Sequence, residues 1–274
     1  MKNVKRRKFK FRFLWKYLFL IILSLAMVFP FYWMIITSLK SGTEVFRFPP
    51  NFFPENPAFE NYLTVLKTSH YPRYFLNSTI VALLETSAVL TVSVLCAFGL
   101  YRYNFKGKKF FIGTLLMLSS MPFEVVIVFN YKMIISMGLN DTYIALILPF
   151  VANFFYTYIL YNAFKGIPEE MYISAMVDKC PNYKFIFKIA LPMIKPTVIF
   201  VCMMNMIGSW NSFLWPLFVT NYDEIRTVSF GIYTYLSEFG SKQELIMAMS
   251  VMTELPLVVV FIVLQKFLER VKDF

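Results

Sequence analysis

Six long runs of apolar residues, separated by shorter polar segments, dominate the sequence. A helix needs about 20 apolar residues to cross the hydrocarbon core of a bilayer. The runs that reach this length are residues 14–38, 75–100, 110–136, 143–164, 189–220 and 245–266. Several are longer than the minimum, so we expect tilts or kinks, with candidate kink points at Pro30, Pro122, Pro196, Pro216 and Pro256. The pattern predicts an all-α, polytopic membrane protein with six transmembrane helices.

The composition of the chain agrees with a membrane location. The chain is 58% hydrophobic and 16% charged, which is more apolar than an average soluble domain. The net charge of +11 does not indicate nucleic acid, because the basic residues lie between apolar runs and do not alternate with aromatics. The basic start resembles a signal peptide, but residues 17–39 are too long and lack a small-residue cleavage site. We therefore predict a retained first span and one membrane domain over residues 1–274.

Most of the 27 Lys and Arg residues fall on one side of the predicted membrane. Cytoplasmic segments of membrane proteins are enriched in these residues. The basic segments are residues 1–16, 102–109, 165–195 and 266–272, whereas the alternate loops hold few cations, nearly balanced by carboxylates. We therefore predict cytoplasmic termini, a cytoplasmic loop over residues 166–192 and an external loop over residues 221–244.

The loop over residues 166–192 is predicted to contain two short helices. Pro168 suits a first helical position, because the amide hydrogen that it lacks would have no partner there. Glu169 and Glu170 follow at the positive end of the helix dipole. Pro181 cannot continue this first helix but can begin a second one. The loop is therefore expected to form a helix, a turn and another helix outside the membrane.

The residue types that mark an enzyme are missing from the sequence. There is no phosphate-binding G-x-x-x-x-G-K-[ST] motif, and the single His70 cannot supply a His-based triad. Cys96, Cys180 and Cys202 lack the spacing of a metal site or a disulfide framework. An intramembrane hydrolase built on a Ser/Lys pair or on two carboxylates stays open from spacing alone. We predict no enzymatic activity, no metal and no cofactor on this chain.

Three carboxylates lie inside apolar runs, where burial in lipid is costly and marks function or helix contacts. They are Glu85, Glu124 and Glu254. Glu124 follows Pro122 by two residues, where a kink opens a helix toward a cavity. We assign Glu124 to a substrate pathway, with a contact to a neighbouring helix as the alternative. For Glu85 and Glu254 we favour a structural contact with a hydroxyl or amide of another helix.

The fifth apolar run combines indole and amide side chains, which are typical of carbohydrate contacts. Sugars are held by aromatic faces and by bidentate amide hydrogen bonds. The alternative is an interfacial Trp belt with an Asn bonded between helices. The candidate pathway residues are Glu124, Asn130, Asn205, Trp210, Asn211 and Trp215.

Three features concern the external side of the predicted spans. Asn77 and Ser78, at the start of the second run, are interpreted as helix caps rather than ligand contacts. The proline-rich segment 39–74 predicts an irregular stretch that leads into a short interfacial helix after Phe59. The loop over residues 221–244 holds carboxylates beside tyrosines and is a candidate contact surface for an external partner.

The cytoplasmic loop resembles the signature of one transporter family. Membrane subunits of bacterial ABC importers carry a motif in which E-A-A is followed by three residues, a G, nine further residues and I-x-L-P. In the same frame this sequence reads Ile173-Ser174-Ala175, three residues, Lys179, nine residues and Ile189-Ala190-Leu191-Pro192. Residues 56–62 resemble the family's external NPxxxNY stretch. Residues 210–217 resemble a segment of its sugar-importing subgroup, which includes the shorter permease of the maltose transporter.

The resemblance implies a type I ABC importer fold and a half-transporter in the bacterial cell membrane. Such a subunit forms a heterodimer with a second permease and binds two ATPase subunits, which hold the ATP and magnesium. An external solute-binding protein delivers the sugar, for which we favour an oligosaccharide. Segment 169–178 would be the coupling helix, and loop 221–244 would face the binding protein. The residues expected to couple to the ATPase are Glu169, Glu170, Met171, Ile173, Ser174, Ala175, Asp178 and Lys179.

Two motif positions depart from the family. Ile173 replaces the glutamate and Lys179 replaces the glycine, so we expect neither a salt bridge to the ATPase nor a glycine-type turn. Docking through the apolar side chains of Met171, Ile173 and Met176 is the expected substitute.

Ala175 keeps the small side chain of the motif, which is expected to let the helix approach the ATPase closely. Residues 265–272 resemble the family's C-terminal tail. The alternative to an ATP-driven importer is a secondary carrier or channel that needs no ATPase.

Overall fold

The computed structural model describes the backbone of residues 2–272 and the side chains of residues 15–238 and 240–266. Throughout these residues the regular structure is helical, as the apolar pattern predicted. The helices are α1 (Lys2–Ser38), α2 (Gly42–Val45), α3 (Glu60–Thr68), α4 (Tyr71–Arg102), α5 (Lys108–Ser119), α6 (Phe123–Ser136), α7 (Tyr143–Ile147), α8 (Phe154–Lys165), α9 (Glu169–Val177), α10 (Asn182–Phe185), α11 (Leu191–Met193), α12 (Lys195–Trp210), α13 (Leu214–Val219), α14 (Val228–Phe239) and α15 (Gln243–Lys272). A 3₁₀ turn (Leu148–Phe150) follows α7, and a π-helical stretch (Ile186–Ala190) joins α10 to α11.

Three helical segments are long and apolar enough to cross a membrane unbroken. They are Trp15–Ser38, Tyr71–Arg102 and Gln243–Lys266. Three bent pairs reach the same length together: α5 with α6 at 93°, Tyr143–Phe150 with α8 at 53°, and Asn182–Met193 with α12 at 87°. Six crossings, the predicted number, result when each bent pair counts as one.

Two of the predicted kink points coincide with breaks in the helices. Pro122 has an extended backbone (φ −61°, ψ 139°) and directly precedes α6. Because proline lacks an amide hydrogen and disfavours a helical residue before it, the chain bends there. Pro196 lies in the first turn of α12, next to the break at Ile194. By contrast, α1 and α15 run through Pro30 and Pro256 without a break.

The chain divides into two compact units, of which one comprises Met1–Ser69 and Thr234–Glu254. Within this unit the segment after α1 is fixed to the end of that helix. The buried ammonium group of Lys40 donates to the carbonyl oxygen of Asn51 at 2.6 Å and lies 4.5 Å from the centre of the Trp33 ring. Helix α3 follows where a short helix was predicted. That the whole chain is one membrane domain stays a prediction.

The other unit comprises His70–Tyr233 and Leu255–Phe274, and its central helix is α4, which packs against α8 and α12. A buried aromatic cluster joins the end of α4 to α8, α9 and α10. The ring of Phe98 lies 5.8 Å from Phe164, 6.4 Å from Tyr172 and 6.1 Å from Phe185. These contacts fix the polar loop to the neighbouring spans.

The structure bears differently on the predicted basic chain ends and on the predicted loop over residues 221–244. The basic side chains before Trp15 and after Lys266, which contributed to the predicted orientation and tail resemblance, lie outside the described residues. The loop predicted over residues 221–244 is largely helical, because α14 and the start of α15 fall within it.

Candidate functional site

The loop over residues 166–192 folds as two helices that pack on each other. Helix α9 begins after Pro168 and α10 begins after Pro181, so both prolines act as predicted. The hydroxyl of Tyr172 donates to Oδ1 of Asn182 at 3.0 Å, and its ring lies 4.9 Å from that of Phe185 in an edge-to-face arrangement. Beyond Phe185 the second helix continues as the wider π-helical stretch rather than as a regular α-helix. We call α9 and α10 together the loop device.

The turn between the two helices has a glycine-type conformation without a glycine. Lys179 has a φ of 53°, in the left-handed region that glycine favours. The amide of Cys180 donates to the carbonyl of Ala175 at 2.9 Å, and the amide of Lys179 donates to that of Met176 at 3.0 Å. These two hydrogen bonds define a Schellman motif. The replacement of glycine by Lys179, which put this turn in question, therefore leaves its conformation intact, because these bonds hold a lysine in it.

Helix α9 exposes apolar side chains and buries its small one. Met171, Ile173 and Met176 are 42%, 55% and 48% exposed, as docking through apolar contacts requires. Ala175 is 7% exposed and packs inward with Tyr172. Ala175 was predicted to let the helix approach the ATPase closely. This prediction is corrected, because its small side chain allows close packing within this chain instead. The polar residues predicted for ATPase coupling are all exposed: Glu169, Glu170, Ser174, Asp178 and Lys179.

A buried polar cluster joins helices α4 and α12 inside the spans. Glu85, 5% exposed, accepts a hydrogen bond from the hydroxyl of Ser209 at 2.7 Å. The amide of Asn205 donates to the other carboxylate oxygen of Glu85 at 3.4 Å and to the hydroxyl oxygen of Thr86 at 3.1 Å. The partners of Glu85 are thus a hydroxyl and an amide of another helix, as predicted for this residue.

A cavity of about 230 Å³ opens beside this cluster. Its lining residues are Glu85, Phe150, Asn153, Tyr156, Asn205, Gly208, Ser209 and Ser212. The lining therefore offers carboxylate, amide and hydroxyl groups next to two aromatic rings. Such a combination can hydrogen-bond hydroxyl groups and contact the apolar face of a small polar molecule.

Asn205 is the one predicted pathway residue that lines this cavity. Glu124 and Asn211 are exposed and Asn130 is half-buried, and none of these three is among the lining residues. A sequence signal for the cluster existed, because Asn205 and Ser209 are four residues apart and share a helix face. Their partner on α4 could not be identified from the sequence.

The two tryptophans of the fifth run are packing residues. Trp215 is 1% exposed, and its indole nitrogen donates to the carbonyl of Ala145 at 2.9 Å. Its ring lies 5.7 Å from Phe123, also edge to face. Trp210 is also buried and lies 5.4 Å from the ring of Phe75. The assignment of both indoles to a substrate pathway is corrected accordingly, because their faces contact other side chains of this chain.

The start of α4 binds the segment that precedes α14. The Asn77 amide donates to the carbonyl oxygens of Glu224 and Arg226 at 2.9 and 2.8 Å. The hydroxyl oxygen of Ser78 accepts a hydrogen bond from the amide of Val228 at 2.8 Å. Both residues lie within α4, so they do not cap that helix, but Ser78 satisfies the first amide of α14.

Asp141 also binds the segment that precedes α14. Its carboxylate accepts hydrogen bonds from the side chain and the backbone amide of Asn221. Partial burial acts to raise the pKa of Asp141. This effect is outweighed by the hydrogen bonds from Asn221 and from the Tyr222 backbone and by the charge of Arg226, so its pKa lies below the ordinary value.

Known proteins with similar sequences and structures are membrane transport components. Residues 89–272 match the family described as binding-protein-dependent transport system inner membrane component. AraQ, the arabinooligosaccharides transport system permease protein of Bacillus subtilis (strain 168), is 31% identical over 252 residues, which cover 89% of this chain and 88% of AraQ. NgcG, the diacetylchitobiose uptake system permease protein of Streptomyces coelicolor, is 28% identical over 247 residues, covering 89% of this chain and 82% of NgcG.

The fold matches that of a solved transporter. The crystal structure of a bacterial ABC transporter involved in the import of the acidic polysaccharide alginate superimposes with a TM-score of 0.80 at 19% identity, covering 92% of this chain and 94% of that one. The chain belongs to the family of binding-protein-dependent transport system inner membrane components. It is therefore a multi-pass membrane protein and a permease component, and the predicted resemblance to the membrane subunits of bacterial ABC importers is confirmed.

Proposed function

We propose that this chain forms part of the translocation pathway of an ATP-driven importer for an oligosaccharide. The observation that carries the proposal is the chain-long similarity to AraQ and NgcG, both named for oligosaccharide transport or uptake. ATP hydrolysis takes place on separate ATPase subunits, which bind ATP and magnesium. This chain supplies no catalytic residue and lies in the bacterial cell membrane with cytoplasmic termini.

The proposed site of ATPase coupling is the exposed face of α9. Met171, Ile173 and Met176 present thioether and aliphatic groups that a hydrophobic groove can bury. Adaptable methionine side chains suit such a groove, and the exposed Glu169 and Glu170 at the start of α9 add polar contacts at its rim. This arrangement supports docking without the glutamate that the motif carries at the position of Ile173.

The proposed assembly has further partners. A second permease, different from this chain, completes the pathway as a heterodimer. An external solute-binding protein contacts the surface over residues 221–244. The hydrogen bonds from residues 221–228 to Asn77, Ser78 and Asp141 support a role of this part as a docking platform, because a preorganised surface loses less entropy on binding.

The proposed contribution to the sugar pathway is the cavity beside Glu85. Its carboxylate, amide and hydroxyl groups match the hydroxyl groups of a sugar, and Phe150 and Tyr156 offer ring faces. Asn205 keeps its predicted pathway role in this proposal. Glu124, Asn130 and Asn211 stay predictions as lining residues of the assembled transporter.

A pull-down from native membranes tests the class of transporter. The chain carries an affinity tag, and transport-competent preparations are analysed for retained subunits. The proposal expects an ATPase to co-purify with this chain. A preparation that transports sugar and reproducibly lacks an ATPase would instead establish the secondary carrier or channel.

A substitution on α9 tests the coupling site. Ile173→Asp places a charge on the exposed apolar face and is expected to abolish ATPase retention and sugar uptake at normal membrane insertion. Ile173→Leu, which keeps the apolar surface, is the matched control and should behave like the unchanged chain. Full ATPase retention by Ile173→Asp would rule out this face as the docking surface.

A further inference from the structure

A large apolar cavity lies between helices α4, α5 and α8, and it shares only Asn153 with the lining of the cavity beside Glu85. Its volume is about 450 Å³, within the range of small-molecule sites. Most of its lining side chains are aliphatic or aromatic, including Val92, Leu100, Phe111 and Leu115. Gly99 forms part of the wall, and a Cβ atom at this position would meet nothing within 4 Å. The cavity is thus open space lined by groups that favour a hydrocarbon occupant.

The cavity has the depth of one membrane leaflet. Val92 and Arg102 are ten residues apart on α4, which corresponds to about 15 Å at the rise of an α-helix. The hydrocarbon core of a bilayer is about 30 Å thick, so this distance is about half of it. Tyr103 and Phe105 close the cavity at the same end as Arg102. One end therefore lies at the membrane surface and the other near the membrane centre.

A second, polar cavity of about 620 Å³ includes Arg102 and Lys108 in its lining. The connection between α4 and α5 contributes to both cavities, because Tyr103 and Phe105 line the apolar cavity whereas Asn104 and Lys108 line the polar one. The two cavities thus share one short connection at the Arg102 end of α4.

Cations outnumber carboxylates in the polar cavity. Arg102, Lys108 and Lys165 line it together with Glu169 and Glu170. Lys106 and Lys109, both exposed, add two further charges from the same connection. In the described part of the chain, Arg102, Lys108 and Lys165 form no ion pair with a carboxylate. Lys108 donates to the carbonyl oxygen of Tyr103 at 3.1 Å and to Oδ1 of Asn104 at 3.3 Å, and these neutral partners leave its positive charge uncompensated.

We propose that the two cavities together bind one anionic phospholipid of the membrane. An acyl chain fills the apolar cavity, and the phosphate lies against Arg102, Lys108 and Lys165. Basic pockets between spans at the membrane surface bind lipid headgroups by this chemistry. The arrangement explains why an apolar cavity and a cationic one share the short connection between α4 and α5. It does not depend on the proposed substrate, and it shares Glu169 and Glu170 with the proposed ATPase contact.

The lipid site bears on the loop device through one residue. The guanidinium carbon of Arg102 lies 4.2 Å from the centre of the Tyr172 ring, and Tyr172 is buried in α9. A phosphate on Arg102 would therefore lie beside the helix that we assign to coupling.

Lipid retention by the purified complex tests the proposal. The intact transporter is purified from membranes that contain phosphatidylglycerol and phosphatidylethanolamine, and the bound lipids are quantified by mass spectrometry. Gly99→Leu fills the apolar cavity, and Lys108→Gln with Lys165→Gln removes two cations. Each change is expected to lower retained phosphatidylglycerol about tenfold. The unchanged complex should retain phosphatidylglycerol in preference to phosphatidylethanolamine.

Matched controls separate lipid binding from general damage. Gly113→Leu also enters open space but lies outside the cavity lining, and Lys188→Gln removes an exposed charge from the second helix. Both should retain lipid like the unchanged complex. Equal lipid retention by Gly99→Leu, or retention without preference for the anionic lipid, would overturn the proposal. So would loss of the ATPase without loss of lipid in the double lysine variant, because the polar cavity would then be an ATPase contact.

Discussion

The hydroxyl of Ser209 donates a hydrogen bond of 2.7 Å to the carboxylate of Glu85, across 124 residues of sequence. The contact joins α12 to α4 within the membrane spans, where Glu85 is 5% exposed. A buried carboxylate in this setting needs donors from its own protein. The pair therefore determines both how the two helices pack and what chemistry the adjacent cavity offers.

Removing the Ser209 hydroxyl is expected to weaken this helix contact. Ser209→Ala should lower stability by about 1 kcal/mol, the size of a hydrogen bond between membrane helices. Thermal unfolding of the purified complex measures the change. Thr79→Ala is the control, because its hydroxyl donates to a carbonyl within α4 itself. Equal effects of the two changes would contradict the special role of the Ser209–Glu85 contact.

Replacing the lysine at the turn of the loop device should stabilise it. Lys179 occupies a left-handed conformation that costs an ordinary residue about 1–2 kcal/mol, so Lys179→Gly is expected to slow hydrogen exchange at the amide of Cys180. Asp178→Gly, one residue earlier and at a φ of −75°, gains no such advantage and should speed exchange. Faster exchange in Lys179→Gly would contradict the assigned turn.

Two neighbouring positions on α9 should respond differently to the same substitution. Ala175→Arg forces a long charged side chain into the aromatic cluster and is expected to destabilise the chain by about 3 kcal/mol or more. Ile173→Arg points outward and should leave folding intact while it abolishes ATPase retention. Yield of folded protein and subunit co-purification separate the two effects. Normal folding of Ala175→Arg would contradict the inward placement of residue 175.

A close approach between α4 and α14 predicts a sensitive glycine. A Cβ atom at Gly231 would overlap the ring of Tyr74, so Gly231→Ala should cost about 1–3 kcal/mol in spite of alanine's better helix propensity. At Gly113 a Cβ meets nothing within 4 Å, and Gly113→Ala is expected to be neutral or stabilising. Thermal unfolding compares the two variants, and similar values would argue against the contact.

The hydrogen bonds between Asp141 and Asn221 predict that the local stability of the segment before α14 depends on pH. The pKa of Asp141 is lower in the folded chain than in the unfolded one, so its contribution to stability is fully present above the unfolded value of about 3.9. This stabilising contribution is lost as the pH falls through the lower pKa that Asp141 has in the folded chain. Hydrogen exchange at Asn221 should therefore accelerate on acidification. Asp141→Asn should remove this pH dependence, whereas an unchanged pH profile would exclude Asp141 as its source.

The sequence predicted the helices better than their contacts. Apolar runs and prolines located the spans, the break at Pro122 and both helices of the loop device, because these features depend on local chain chemistry. Two contacts join residues more than a hundred positions apart: the hydrogen bond between Glu85 and Ser209, and the hydrogen bond from the amide of Val228 to Ser78. A pattern in one helix identifies its polar face but not its partner. For the same reason, the sequence could not distinguish a Trp215 that packs against Phe123 from a Trp215 that contacts a sugar.

The 87° angle between Asn182–Met193 and α12 places these two helical segments nearly at a right angle, with the break at Ile194. Tyr172 connects α9 to the first segment through Asn182 and Phe185. The second segment, α12, carries Asn205 and Ser209, which both donate to Glu85. One continuous stretch of chain therefore leads from the helix with the exposed apolar face to the donors of the buried carboxylate.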